Sequence, residues 1–282
     1  MTPPRPGRTA PGTRLALTAS LAALAVAFCI PTLGVVLSSF KSTAEIAGGR
    51  LWFGAGGFTL GNYSEVLGQQ RIYQYLLNTV LVTVPASVAS IALGTLAGYV
   101  FAKLPFRGSK VVFIAVVAGM FFPAQILLVP LFRLFLRLGL LNTLWPMIIV
   151  HTALGIPICT LLMRNFLAAV PDALRDAAIL EGASELQVLW RVILPVSLPA
   201  LAVLATLQFT WIWNDFLWPL IFTQSDDKRT IMLGLVSMKG QYSVAWGVQG
   251  ALSLVASFPT LFVFLRFQRY FIRGLTLGSV KG

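Results

Sequence analysis

Few residues of this chain are equipped for chemistry. His151 is the one histidine, and no second ligand type stands at metal spacing from it, so it reads as a packing or hydrogen-bonding residue. Cys29 and Cys159 lie far apart in apolar runs, without metal or redox spacing, and read as packing residues too. Asp215 is different, because it follows a long apolar run, and an acid at mid-bilayer costs roughly 2.5–3.5 kcal/mol on insertion scales. With Asn214 it is a candidate pathway or gate residue. Counted at about 1.5 Å per residue from Val196, however, Asp215 lies about 30 Å along a helix, near a membrane boundary where a structural role costs little. Trp211, Trp213 and Trp218 around it suit the apolar face of a sugar, and equally the aromatic belt of a membrane interface. Asn78, Thr79, Gln125, Asn142 and Gln208 can bond between helices or line a path. No set of His, Cys, Ser or paired acids converges, so no catalytic centre, cofactor or metal site is expected.

The stretch "PDALRDAAILEGASELQVLWRVILP", Pro171 to Pro195, carries four acids and two arginines between apolar runs. It is too polar to cross a bilayer and too regular for a linker. Pro171 breaks the preceding helix, and Asp172 is placed to cap a short one with Leu174, Ala177, Ala178 and Glu181 on one side. Gly182 stops that helix, since glycine takes a left-handed conformation without steric cost. Ser184 and Gln187 then form an S-x-x-Q capping box, and Leu186, Leu189, Trp190 and Ile193 follow at helical spacing until Pro195. The expected unit is a helix, a glycine elbow and a helix. It reads as a passive amphipathic anchor, or as a docking knob whose small residues Ala177, Ala178, Gly182 and Ala183 let a partner backbone approach closely. An enzymatic reading has no histidine or metal set to support it.

The elements that must position these residues are membrane spans. Of 282 residues 57% are hydrophobic and 11% charged, with mean hydropathy +0.83, far too apolar for a soluble domain. A span needs roughly 20 apolar residues, and six runs qualify: Leu15 to Phe40, Tyr75 to Phe101, Val111 to Phe135, Leu144 to Phe166, Val196 to Phe222 and Val244 to Phe271. The first is longer than a signal-peptide core and reads as an uncleaved span. Pro31, Pro85, Pro123, Pro130, Pro157 and Pro259 are candidate kinks. Gly94 and Gly98 make a GxxxG contact face, and the short turn "KLPFRGSK" predicts antiparallel neighbours on either side. The loop from Lys41 to Gln74 carries Gly54, Gly56 and other glycines, with a short interfacial helix expected at Asn62 to Leu67.

A net charge of +12 suggests nucleic acid in a soluble protein, but here the basic residues sit at span ends, where they anchor headgroups. Placing the N-terminus inside gathers Arg5, Arg8, Arg14, Lys103, Arg107, Lys110 and Lys281 on the cytoplasmic side and leaves fewer basic groups, Lys239 among them, outside. The expected organisation is a cytoplasmic tail (1–14), a transmembrane domain (15–271) containing the polar loop (171–195), and a cytoplasmic tail (272–282). Both termini face inward, so the elbow is cytoplasmic.

"DAAILEGASELQVLWRVILP" resembles the EAA loop of ABC importer permeases, whose pattern is E-A-A, three residues, G, nine residues, I-x-L-P. It falls on Asp176, Ala177, Ala178, Gly182, Val192, Leu194 and Pro195, with aspartate for the usual glutamate and Val192 for the usual isoleucine. "WIWNDFLWPL", "LGLLNTLWPMIIVHTALGIP" and the ending "QRYFIRGLTLGSVKG" are similar to the carbohydrate-uptake group, the second permease of maltose-type importers. The resemblance implies an all-helical inner-membrane subunit of about six spans, without catalysis of its own. Its elbow, Glu181, Ala183 and the pattern residues included, would dock into a dimer of ATPase subunits. A homologous second permease would supply much of the sugar site, and an extracytoplasmic binding protein would deliver a sugar-like solute. The chain contains no G-x-x-x-x-G-K-[ST] phosphate loop, so ATP must be hydrolysed by another subunit. A self-sufficient carrier driven by an ion gradient is the competing reading, and the near absence of ionisable residues in the spans disfavours it.

Overall fold

In a bilayer a backbone has no water to bond, so each apolar run closes its own ladder of helical hydrogen bonds. The computed structural model describes residues 11–52, 57–237 and 245–278. Arg5, Arg8, Gly54, Gly56, Lys239, Val244 and Lys281 lie outside them. All regular structure among the described residues is helical, as the sequence predicts.

Among the described residues four helices are long and apolar enough to cross a membrane, and up to six spans result if each of two bent pairs is counted as one. The long helices are α1 (Pro11–Ser39), α4 (Gln70–Lys103), α7 (Trp145–Ala168) and α14 (Trp246–Gly278), each continuous through an internal proline. The loop helices α2 (Thr43–Ala47) and α3 (Gly61–Leu67) lie between α1 and α4, the second where the sequence places an interfacial helix.

Two spans expected to be continuous are broken. After α5 (Ser109–Ala118) the chain turns by 90° before α6 (Leu128–Arg137). Pro123 lacks an N–H and disfavours helix in the residue before it, so Phe122 is extended at φ −75°, ψ 122°. In the fifth span α11 (Leu198–Trp213) ends at Asn214, and α12 (Leu217–Phe222) starts afresh. A helix of 16 residues is about 24 Å long, short of the roughly 30 Å hydrocarbon layer. A short helix α13 (Ile231–Ser237) completes the set before α14.

By internal contacts the chain forms two units, 1–68 with 239–255 and 69–238 with 256–282. In the first, Asn62 donates to the carbonyls of Ser39 and Lys41, both at 2.9 Å, and Tyr63 hydroxyl lies 2.8 Å from Ser39 Oγ. These bonds tie α3 to the end of α1.

The second unit is organised on α4 and α7. A Cβ at Gly94 would overlap Cys159, and one at Gly98 would stand 2.8 Å from Met163 Cβ, so the GxxxG face is where the two helices meet. The main partner of α4 is therefore α7, not the α5 that follows it across the short turn. Tyr99, Met163, Leu167, Val188, Leu189, Ile193 and Leu204 form one buried cluster, and Val82, Met147, Ile212, Trp218 and Phe222 belong to another.

Candidate functional site

The polar stretch forms the elbow the sequence predicts. Helix α8 (Asp172–Leu180) is capped by Glu181 and stopped by Gly182 at φ +88°. Ser184 and Gln187 then make the capping box of α9 (Glu185–Val188): Gln187 N–H donates to Ser184 Oγ, and Ser184 N–H to Gln187 Oε1 at 2.9 Å. Three details differ from expectation. Asp172 does not cap α8; Lys103, at the end of α4, donates to its carboxylate at 2.6 Å and also to the Val170 carbonyl. The Lys103 ammonium holds the Asp172 carboxyl below the usual aspartate value.

Pro195 does not end the second helix. A π turn at Leu189–Ile193, in which Leu194 N–H reaches back to the Leu189 carbonyl, carries the chain into α10 (Leu194–Val196), and a bend of 79° follows before α11. A wider turn just before proline admits its ring and missing donor. The buried face of this helix also differs from the expected one. Leu189 and Ile193 are buried with Val188, whereas Leu186 and Trp190, expected on the same face, are exposed.

The elbow is clamped from inside. Arg175 on α8 bonds to both carboxylate oxygens of Glu185 on α9, through Nε to Oε2 at 3.3 Å and through a shorter contact to Oε1. Tyr99 of α4 donates its hydroxyl to Glu185 Oε2 at 2.7 Å. The Glu185 carboxylate and Tyr99 raise the affinity of the Arg175 guanidinium for its proton. Ala178, Ala183, Val192 and Leu194 pack against the cluster in which Val188, Leu189 and Ile193 of the elbow meet residues of α4, α7 and α11. Outward the elbow shows Asp176, Ala177, Glu181 and Gly182, with Leu174, Ile179 and Leu180 beside them, Leu180 at 89% exposure. Nothing in the sequence indicates that Tyr99, 86 residues from Glu185, completes the clamp.

The second polar locus lies where α11 breaks. Asp215 accepts from the N–H groups of Leu217 and Trp218, at 3.1 and 3.2 Å, and so caps α12. Its Oδ2 is 3.3 Å from Nε2 of His151 on α7. Both residues line a cavity of about 150 Å³ with Gln208, Trp211 and Trp218. The lining includes neither Asn214 nor Asn78. Asn214 bonds back to the Thr210 carbonyl, and Asn78 donates to the carbonyls of Asp227 and Arg229, fastening the loop before α13. Asn142, at φ 59°, accepts from Gln224 and Ser225 on the same loop. Among the described residues no group of His, Cys, Asp or Glu is arranged to hold a metal.

Broken spans around a polar cavity, with a rigid helical elbow at one end, define a membrane transport subunit. Residues 90–277 match the family described as binding-protein-dependent transport system inner membrane component. The chain is 35% identical over 270 residues to the osmoprotective compounds uptake permease protein GgtD of Synechocystis, covering 93% of this chain and 91% of that one. It is 33% identical to the arabinooligosaccharides transport system permease protein AraQ of Halalkalibacterium halodurans, covering 98% and 99%. A crystal structure of a bacterial ABC transporter involved in alginate import superposes with a TM-score of 0.82 at 23% identity, covering 94% of this chain and all of that one. The chain belongs to the binding-protein-dependent inner membrane components: it is a permease of an ABC importer with multiple spans, not a catalyst.

Proposed function

We propose that this permease imports a sugar or sugar-like solute and that its elbow docks into the cleft of an ATPase subunit on the cytoplasmic side. The observation that carries the docking role is the elbow's division into two faces. One face is fixed to the spans by the Arg175–Glu185–Tyr99 clamp and by Lys103–Asp172; the other exposes Leu174, Ala177, Ile179, Leu180 and Gly182. An apolar knob that small residues open to close approach, held rigidly to the spans, can pass a push from a soluble partner to α4, α7 and α11. A passive lipid anchor has no use for such a clamp.

The solute class rests on the relatives, whose names include alpha-glucoside transport, arabinooligosaccharides transport and diacetylchitobiose uptake. The complete importer in this reading comprises this chain, a homologous second permease, an ATPase dimer and an extracytoplasmic solute-binding protein. Short cytoplasmic tails (1–14 and 272–282) flank the membrane domain. Affinity purification of the tagged chain from its own host in mild detergent, followed by mass spectrometry, tests the assembly. An ATPase and a second permease copurify under this reading; a chain recovered alone, even after crosslinking in the membrane, contradicts it.

A further inference from the structure

We infer that the cavity between α7, α11 and α12 is a subsite for one ring of a neutral, hydroxyl-rich solute, supplied by this chain itself. The inference rests on the importer reading and deepens it, because resemblance alone leaves most solute contacts to the partner permease.

Three polar side chains from separate elements converge on this cavity: His151 from α7, Gln208 from α11 and Asp215 from the break after it. They are withdrawn from the surface, at 6%, 3% and 14% exposure. A carboxylate accepts from several hydroxyls, while an amide offers donors and an acceptor and a neutral imidazole offers one of each. The indole faces of Trp211 and Trp218 supply what the C–H side of a sugar ring needs. Polar groups at fixed points of an otherwise apolar wall are the usual make-up of a small-molecule site.

Structure alone does not account for this set. Capping α12 requires the Asp215 carboxylate and nothing more. His151 has no role in that cap, and the Gln208 amide donates only to the Gly155 carbonyl at a long 3.4 Å and to the weak acceptor Cys159 Sγ at 3.3 Å. Such groups are costly within spans and collect where a pathway needs them, often beside a discontinuous helix.

Charge and size narrow the ligand. Among the described residues no lysine or arginine lines the cavity, so an anionic sugar would meet Asp215 with only His151 to offset it. A neutral polyol meets this constraint, and its hydroxyls can use the Asp215 lone pairs that the two backbone N–H groups leave free. The volume, about 150 Å³, matches about five waters, which suits one ring rather than an oligosaccharide. Trp211, 65% exposed, stands at the rim, so the cavity opens on the subunit's surface, as a path shared with a second permease requires.

The test uses the complete importer in nanodiscs, with Cys29→Ser and Ala124→Cys introduced and a small uncharged methanethiosulfonate reagent as label. Ala124 lines the cavity, and Cys159 is fully buried. At least one of D-glucose, D-arabinose and myo-inositol at high concentration slows labelling roughly threefold, as occupancy at twice Kd gives. Glycine betaine and D-glucuronate do not. Gln208→Leu and His151→Phe abolish the protection, read as the ratio of labelling rates with and without sugar in the same variant, and His151→Gln, which keeps a donor, retains part of it. Failure of all three neutral probes, or protection undiminished in the variants, overturns the subsite; protection by glucuronate equal to that by glucose overturns the neutral assignment. Loss of the ATPase on purification counts against the importer reading instead, since labelling still reports on the cavity.

Discussion

Arg175 and Glu185 bridge the two helices of the elbow across Gly182, and the carboxylate that joins them also receives the hydroxyl of Tyr99 from a membrane span. One acidic side chain thus fixes the angle of the elbow and its attachment to α4.

Both partners of this bridge are part-exposed, so it adds only about 1 kcal/mol or less to stability, and its role is to hold an angle. Arg175→Ala should leave insertion and folding intact while broadening the distance distribution between spin labels at Ala173 and the exposed Leu186. Glu185→Gln, which retains an acceptor for Tyr99, should broaden it less. Equal, narrow distributions in the wild type and both variants would remove the clamp from the account.

Gly182 sits at φ +88° with no atom within 4 Å of where a Cβ would be, so only its backbone conformation is demanding. Gly182→Val should cost roughly 1–2 kcal/mol and weaken ATPase copurification and transport, whereas Gly182→Asn should be nearly neutral. Similar loss in both would point to crowding at a partner surface instead of to the turn.

Gly94 and Gly98 let α4 touch α7. Gly98→Ala brings a methyl 2.8 Å from Met163 Cβ and 2.9 Å from Arg164 N, an overpacking of about 1–3 kcal/mol. Thermal unfolding in detergent should shift down for Gly98→Ala and further for Gly94→Leu. Gly57→Ala, at a site with no atom of the described residues within 4 Å, serves as the control and should leave it unchanged.

Asp172 has its carboxyl held low by Lys103, so the tether it makes is present above the ordinary aspartate range and is lost as pH falls through the lowered value. Hydrogen exchange over residues 172–180 should therefore quicken, beyond the intrinsic pH dependence, only on the acid side of that range. Asp172→Asn should show the quickened exchange at neutral pH as well.

Local chemistry made the elbow legible. A glycine followed two residues later by S-x-x-Q is a helix stop and start whatever surrounds it, and both appear as predicted. What the sequence hid depends on distant partners or on the path of the backbone. Asp172 is equally suited to cap a helix, but Lys103, 69 residues away, takes its carboxylate. Leu186 and Trp190 are exposed while Val188, Leu189 and Ile193 are buried, because both sides of this helix carry apolar residues and spacing cannot tell which side the spans will cover. The breaks at Phe122 and Asn214 were invisible to hydropathy because the residues around them remain apolar enough to span. Asp215 stood out as an acid near a span, yet its neighbours His151 and Gln208 come from other turns of the fold, and only their meeting makes a cavity.

The docking of the elbow on an ATPase is tested most directly by a photo-crosslinker, p-benzoylphenylalanine, placed at the exposed Leu180 in the full importer. The account predicts a crosslink to the ATPase subunit at this position and none from a control at Leu81, half-exposed on a span. A Leu180 probe that captures only lipid, under conditions in which the importer transports, would contradict it.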